Sequence, residues 1–150
     1  MEIKRASHTD KDFMDICAML NDTHNEHVAE QRWPGSDSRE NVDQFEQICI
    51  MYDGETPAAS IAAKPAGEGR AEVGRVFVSP EYRRRGLATK MLAFIEERLR
   101  EGGVRVMCLD TYERMPGAIA LYEKYGFKKV EPFPGFEVWP YSVCMEKEIG

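Results

Sequence analysis

The chain has 150 residues and a mass of 17.1 kDa, with 43% hydrophobic and 31% charged residues. A chain of this length can bury a core without disulfides or a structural metal, and we expect residues 1–150 to form one domain. The net charge of −6 and the pI of about 5.2 argue against a nucleic-acid partner. There is no apolar run long enough for a membrane span and no signal-peptide segment, so we expect a cytoplasmic protein.

Four cysteines stand singly in apolar surroundings: Cys17, Cys49, Cys108 and Cys144. They form no C-x-x-C pair of the kind that holds zinc or carries out thiol redox chemistry. A single buried thiol packs as a small hydrophobe. We therefore expect core packing for each cysteine, no metal, and no acyl-enzyme on sulfur.

The N-terminal third predicts one strand followed by two helices. A short strand at Ile3–Ser7 precedes a helix that is capped by Thr9-Asp10. The apolar residues of this helix recur on one face: Phe13, Ile16, Cys17 and Leu20. The cluster Ser36-Asp37-Ser38 can cap a second helix, which would carry Val42 and Phe45.

The next segment predicts an antiparallel meander of three strands. An apolar strand at Ile48–Tyr52 is closed by Asp53-Gly54, a turn signal, and Ala58–Ala63 can return as its partner. The glycine-bearing turn Pro65–Gly69 then leads into a third strand at Glu72–Val78. Ser and Pro end this strand at positions 79 and 80.

The second half alternates between helix and strand. A long amphipathic helix carries its apolar residues at Leu87, Met91, Leu92, Ile95 and Leu99. Gly102-Gly103 ends it, and a strand at Val104–Leu109 follows, parallel to its predecessor across the helical crossover. A helix at Pro116–Gly126 precedes a terminal antiparallel pair, Phe127–Val130 and Tyr141–Glu146. We therefore predict an α+β fold with a mixed, mostly antiparallel sheet of about seven strands and about four helices.

The segment between the third meander strand and the long helix carries the features of an anion site. Gly86 and Ala88 flank the helix start, where unpaired N–H groups and the positive end of the helix dipole point outward. The cationic side chains nearby are Arg83, Arg84, Arg85 and Lys90. A phosphate or pyrophosphate fits this pattern, although a basic loop that merely solvates a helix start fits the spacing equally well.

Two motifs resemble those of the GNAT N-acetyltransferase superfamily. Arg83, Gly86 and Ala88 fill the family's acetyl-CoA motif, R/Q-x-x-G-x-G/A, and 118–127 is similar to its A-x-x-L-Y-x-x-x-G-F segment. The strand and helix order also matches the family's fold. The resemblance covers roughly residues 1–148 and is best between residues 72 and 130.

The resemblance implies that acetyl-CoA is the cosubstrate. Pantetheine would enter a V-shaped opening between the strand ending at Val78 and the strand starting at Val104, and would pair with main-chain groups. N–H groups of Arg84–Ala88 would hold the pyrophosphate. The implied cofactor-binding residues are Phe77, Val78, Arg83, Arg84, Arg85, Gly86, Leu87, Ala88 and Thr89.

The resemblance also implies the catalytic groups. Glu72 is the first candidate for the base that takes the amine's proton, and strand alternation predicts it on the same side as Val76 and Val78. A solvated glutamate at a strand end is the alternative, and Asp110 is the second candidate for the base.

Tyr122 matches the family's proton donor to the thiolate of coenzyme A, because a tyrosine is neutral and protonated at pH 7. It could instead be a packed aromatic residue. The chain departs from the family at Met115, where many members carry Asn. Methionine is only a weak acceptor, so this departure puts the strength of cofactor binding in doubt.

The expected acceptor is a small-molecule primary amine that attacks acetyl-CoA directly in a ternary complex. Nucleic acid and membrane are not expected as partners, and a homodimer is compatible with the sequence. Aromatic residues could wall the acceptor site or cap the core: Trp33, Phe133, Phe136, Trp139 and Tyr141. Two alternatives remain open: a non-catalytic acyl-CoA-binding or sensing module, and a protein N-terminal or lysine acetyltransferase.

Overall fold

The computed structural model of the chain describes residues 1–28, 44–113, 116–133 and 142–150. The start of the predicted second helix, with Val42, lies outside the described residues. So do Met115 and four of the five acceptor aromatics, Trp33, Phe136, Trp139 and Tyr141.

Ten helices and strands follow one another along the described chain. The strands are β1 (Glu2–Arg5), β2 (Gln47–Asp53), β3 (Thr56–Pro65), β4 (Arg70–Val78), β5 (Val106–Tyr112), β6 (Lys128–Val130) and β7 (Ser142–Glu148). The helices are α1 (Lys11–Val28), α2 (Leu87–Glu101) and α3 (Pro116–Tyr125). A single 3₁₀ turn at Pro80–Tyr82 lies between β4 and α2.

The strands form one seven-stranded sheet in the order β1-β2-β3-β4-β5-β7-β6. The pairing of β4 with β5 is parallel, because the chain crosses through α2 between them, and the other neighbours are antiparallel. The predicted fold class is confirmed. Three helices of more than one turn lie within the described residues, where the sequence predicted about four.

Both faces of the sheet are covered by apolar side chains. We call the side on which α1 packs the α1 face; its buried cluster is Phe13, Ile16, Cys17, Phe45, Ile48, Ile50, Ala62 and Phe77. The opposite side is the α2 face, where residues of α2 and α3 pack on alternate residues of β3, β4 and β5. The predicted apolar faces of α1 and α2 are therefore confirmed.

Strand and helix boundaries follow from local hydrogen bonding. Asp10 caps α1, because its Oδ1 accepts the N–H groups of Asp12 and Phe13 at 2.9 and 3.3 Å. The strand predicted from Val104 begins at Val106 instead. The N–H groups of Arg105 and Val106 both donate to the Gly69 carbonyl, so the chain first turns onto the start of β4.

The terminal pair is confirmed, and β7 is longer than predicted. It pairs with β5 from Ser142 to Glu148, and β6 lies on its outer side. All four cysteines are buried, as expected. Among the helices in the described ranges, none is long and apolar enough to cross a membrane.

Candidate active site

A cleft opens where β4 and β5 separate. The two strands pair only from Arg70–Glu72 to Val106–Cys108. Beyond those three positions β4 continues to pair with β3 and β5 with β7, while no pairing joins β4 to β5 in the described residues. The predicted V-shaped opening is therefore present, with its closed end at Glu72 and Cys108.

A β-bulge bends β4 beside this cleft. The register against β3 shifts by one residue between Ser60 and Ala62, and Arg75 has a φ of 52°. The fully buried Ser60 hydroxyl donates to the Arg75 carbonyl at 2.7 Å, which supplies a partner where the ladder is interrupted. A bulge increases the local twist, and here it carries the end of β4 away from β5.

Because of the bulge, the orientation predicted for Glu72 is wrong. Ala71 and Val73 are buried on the α2 face, where Val76 and Val78 also pack. The Glu72 side chain therefore lies on the α1 face, opposite to Val76 and Val78. The extra residue in β4 reverses the alternation, and an arginine in a left-handed conformation gives no signal of this in the sequence.

Val78 directs its main-chain groups toward the cleft side of β4. The Ser79 N–H donates to the Ala58 carbonyl of β3 at 2.8 Å. Alternation along the ladder therefore directs the N–H and C=O of Val78 away from β3 and those of Phe77 toward it. The Val78 carbonyl accepts the Arg83 Nε at 3.3 Å. Val78 remains a predicted edge for pantetheine, whereas the main chain of Phe77 is directed toward β3.

A turn rich in unpaired N–H groups joins β4 to α2. Arg84 has a φ of 65° and Gly86 a φ of 73°, so two left-handed residues alternate with their neighbours and turn successive N–H groups outward. Within the described chain, the main-chain N–H groups from Arg84 to Thr89 donate to no main-chain carbonyl, and the first such bond is Lys90 to Gly86, at 3.1 Å. We call residues 84–89 the phosphate turn.

The phosphate turn has the geometry that an anionic ligand requires. A Cβ built on Gly86 would meet no atom within 4 Å, so glycine is needed there for its positive φ and open space lies in front of it. Among the residues that the structure describes, no side chain caps the start of α2. Arg83, Arg84 and Arg85 are all exposed. These features fit an anionic group, and the binding of the phosphates of coenzyme A here stays a prediction.

Acidic side chains collect on the α1 face at the closed end of the cleft. Glu72 forms an ion pair with Lys64, with Nζ and Oε2 3.2 Å apart. Burial, together with the nearby Glu72 charge, raises the pKa of Asp110 to about 7, although Lys64 and Arg75 act in the opposite direction. A carboxyl group that titrates near neutral pH can accept a proton at that pH.

Tyr122 is held by the way α3 ends. Gly126, with a φ of 115°, terminates the helix, and the N–H groups of Gly126 and Phe127 both donate to the Tyr122 carbonyl at 3.1 and 2.9 Å. The chain then returns, so that the Phe127 ring meets the Tyr122 ring edge-on at 5.8 Å. The spacing L-Y-x-x-x-G-F is thus a helix end that fixes the tyrosine.

The Tyr122 side chain is 9% exposed and belongs to the core of the α2 face. Burial raises the pKa of its phenol, and the Asp110 charge raises it further. The phenol stays protonated at neutral pH.

Two cations near the candidate bases were not predicted from the sequence. Lys64 lies 5.6 Å from the ring centre of Phe45, and Arg75 lies 5.3 Å from it. Their relation to Glu72 and Asp110 depends on the β3–β4 register and on the bulge. In the described part of the chain, no three His, Cys, Asp or Glu side chains come together as metal ligands.

Comparison with known families identifies the chain. The profile of the acetyltransferase (GNAT) family matches residues 13–127, which include the cleft, the phosphate turn and Tyr122. The chain belongs to the GNAT family. An IAA acetyltransferase of Azospirillum brasilense is 36% identical over 81 residues, which are 54% of this chain and 53% of the relative. The matched segment thus spans about half the length of that curated relative.

Solved structures share the GNAT fold over the whole chain. A proposed acyl-CoA N-acyltransferase of Klebsiella pneumoniae superposes with a TM-score of 0.82 at 25% identity, covering 99% of this chain and 97% of its own. An aminoglycoside 6′-N-acetyltransferase, crystallised with coenzyme A, superposes with a TM-score of 0.68 at 19% identity. It covers 100% of this chain and 98% of its own.

Proposed function

We propose that the protein is an acetyl-CoA-dependent N-acetyltransferase that acetylates a primary amine of a small molecule, with residues 1–150 acting as one catalytic domain. The observation that carries this proposal is the separation of β4 and β5 immediately before the phosphate turn. The cleft offers the Val78 main chain as an edge, and residues 84–89 offer N–H groups for phosphate.

The cosubstrate would deliver an acetyl thioester to the cleft, and the protein's own groups would handle the protons. We assign Asp110 as the base, because its pKa near 7 suits proton transfer at neutral pH. Glu72, the first candidate from sequence, is instead ion-paired with Lys64. Its charge favours a high pKa at Asp110, so we assign Glu72 a positioning role.

Tyr122 would donate a hydrogen bond to the sulfur that leaves as a thiolate. Its pKa is raised well above that of an ordinary thiol, so its proton would remain on the phenol and stabilise the developing negative charge. A fixed donor costs little reorganisation, and the edge contact with Phe127 supplies that rigidity.

The charge near the cleft and the names of two similar proteins support a small amine as the acceptor. On the α1 face, Glu72 and Glu146 are ion-paired with Lys64 and Arg70. The Asp110 carboxylate would therefore be the group that attracts an ammonium and takes its proton before the amine attacks. One relative is named for IAA and one fold neighbour for aminoglycosides, both small acceptors. These names favour a small molecule, whereas another fold neighbour is named as a ribosomal-protein-alanine N-acetyltransferase, so the panel of acceptors must include peptides.

The test is release of free thiol from acetyl-CoA, measured over a panel of small amines, amino acids, polyamines and peptides. We expect acceptor-dependent release with at least one small amine. Release with peptides alone would indicate a protein acetyltransferase. Coenzyme A binding without release for any acceptor would favour a sensing module.

A matched variant tests whether thiol release depends on the Tyr122 hydroxyl. Tyr122→Phe removes one oxygen and keeps the ring against Phe127, so it should fold and bind coenzyme A like the wild type. Its kcat should fall about 10²-fold, the usual size of a lost donor or proton-transfer group. An unchanged kcat would return Tyr122 to a packing role.

A further inference from the structure

Tyr82 links the β2–β3 turn to the phosphate turn. Its hydroxyl donates to Asp53 Oδ2 at 2.8 Å, although the two residues are 29 positions apart in the sequence. On the other side, the Arg85 guanidinium carbon lies 5.2 Å from the centre of the Tyr82 ring. Asp53, Tyr82 and Arg85 therefore form a continuous series of contacts, which we call the Tyr82 bridge.

The Tyr82 ring is a fixed surface for the guanidinium. It packs against the core of the α2 face, and the bond to Asp53 fixes its free end. Arg85 itself is exposed and precedes Gly86 in the phosphate turn. An unrestrained arginine loses much rotamer freedom when it grips an anion, whereas one that already rests on an aromatic face loses less.

The contacts of the other two arginines differ. Arg83 donates its Nε to the Val78 carbonyl, and Arg84 supplies the left-handed bend of the turn. Among the described cation–ring contacts, Arg85 is the one that comes from the phosphate turn. Stacking on Tyr82 thus fixes the direction in which the Arg85 side chain extends from the phosphate turn.

We propose that Tyr82, anchored by Asp53, is a positioning residue that orients Arg85 toward the phosphate groups of coenzyme A. The inference rests on the proposed function, because it needs a phosphate ligand at the start of α2. It adds to that function two residues outside the recognised motif, and it assigns Arg85 a role that the sequence could not distinguish from those of Arg83 and Arg84.

A double-mutant cycle on coenzyme A affinity tests the proposal. Arg85→Gln and Tyr82→Leu should each weaken binding about threefold to tenfold, measured by calorimetry. The double variant should bind no more weakly than Arg85→Gln alone, because Tyr82 acts through Arg85. With the enzyme assayed, the losses should fall on KM for acetyl-CoA and leave kcat unchanged.

Two further variants remove the anchor without removing the ring. Tyr82→Phe and Asp53→Asn keep the aromatic platform, so each should weaken binding by less than Tyr82→Leu. Because the effect is electrostatic, all of these losses should shrink in about 0.5 M salt, where charges are screened over a few ångströms.

The chain contains a matched cation–ring contact between the edge strand β1 and its neighbour β2. Lys4 lies 5.3 Å from the Tyr52 ring centre, and the Tyr52 hydroxyl donates to Asp12 at 2.7 Å. Lys4→Gln and Tyr52→Leu should leave the affinity for coenzyme A unchanged.

The outcomes separate the two proposals. Additive losses in the Tyr82→Leu/Arg85→Gln double variant, with wild-type binding intact, would overturn the positioning role alone. Equal losses in the Lys4 and Tyr52 variants would also overturn it, because the effect would then be one of general stability. Absence of binding by the wild type would overturn the proposed function and this inference together.

Discussion

At the scale of single residues, the chemistry depends on how two carboxylates on the α1 face share their surroundings. Glu72 is paired with Lys64 at 3.2 Å, while Asp110 is disfavoured as an anion by burial and by the Glu72 charge. The two acidic groups lie in unlike environments, Glu72 in an ion pair and Asp110 buried with a pKa near 7, and this difference separates their roles. The register of β4 and β5, which pairs Glu72 with Cys108, brings Glu72 near Asp110 on the next strand.

The pH dependence of two variants distinguishes the two candidate bases. If Asp110 is the base, Asp110→Asn should lower kcat/KM by about 10²-fold or more. Glu72→Gln should keep most of the activity and move the acid limb of the profile below pH 7, because the charge that raises the Asp110 pKa is removed. Steady-state profiles from pH 5 to 9 measure both effects.

The opposite pattern would make Glu72 the base. Glu72→Gln would then lose activity and recover part of it as rising pH supplies neutral amine.

The pH dependence of unfolding gives a second readout, since the Asp110 pKa of about 7 lies above its unfolded value of about 3.9. The folded state binds the extra proton, so this group lowers stability as pH rises from 4 through 7. Asp110→Asn should therefore gain up to about 4 kcal/mol over the wild type between pH 4 and pH 8.

At the scale of elements, the start of α2 joins fold to function. Its first-turn N–H groups donate to no main-chain carbonyl in the described chain, and no side chain caps them. A helix that starts at a glycine, with no side-chain cap, forgoes about a few tenths of a kcal/mol of stability. We interpret this as a cost accepted for a phosphate ligand, which would satisfy the same groups.

Ala88→Asp should abolish coenzyme A binding while leaving the fold intact. A carboxylate in the first turn interacts favourably with the helix dipole, so unfolding should show no loss or a gain of a few tenths of a kcal/mol. The same charge repels phosphate, so calorimetry should detect no binding of coenzyme A. Ala93→Asp is the control, since Ala93 is exposed on the same helix. Normal binding by Ala88→Asp would move the phosphate site elsewhere.

Helices and turns were the elements best predicted from sequence. The period of Leu87, Met91 and Ile95 specifies α2, and Asp53-Gly54 specifies a hairpin, because both signals are local. The bulge at Arg75 escaped prediction, since the Ser60 hydroxyl that bonds to its carbonyl lies on the neighbouring strand, 15 positions away in the sequence. The predicted side of Glu72 was wrong for that reason.

The residues of the candidate site also fall into those that a local motif predicts and those that depend on tertiary contacts. Gly86 and Tyr122 could be named as candidates from the sequence because each lies in a local motif whose geometry the residues themselves impose. The bond from Tyr82 to Asp53 spans 29 positions, and the Lys64–Glu72 pair depends on register. Contacts of this kind arise from tertiary pairing, which a single sequence does not encode in any local pattern.

At the scale of the whole molecule, the cleft sits where both cores meet. β4 contributes Val73 to the α2 face and Phe77 to the α1 face, so the strand that borders the cleft is packed from both sides. A ligand that pairs with this strand and with the start of α2 would bridge the sheet and the helix. Its binding free energy should therefore add to the stability of the whole fold.

The last prediction is that coenzyme A raises the melting temperature in proportion to the logarithm of its concentration. A ligand that binds only the folded state at 100 times its Kd contributes about 2.7 kcal/mol. For a chain of this size each kcal/mol is worth about 2–4 °C, so we expect a rise of about 5–10 °C in scanning calorimetry. Ala88→Asp should show no rise, and Lys4→Gln should show the full rise. A wild type whose melting temperature stays constant in millimolar coenzyme A would contradict the cleft assignment, because a ligand seated between β4, β5 and α2 cannot bind without stabilising them.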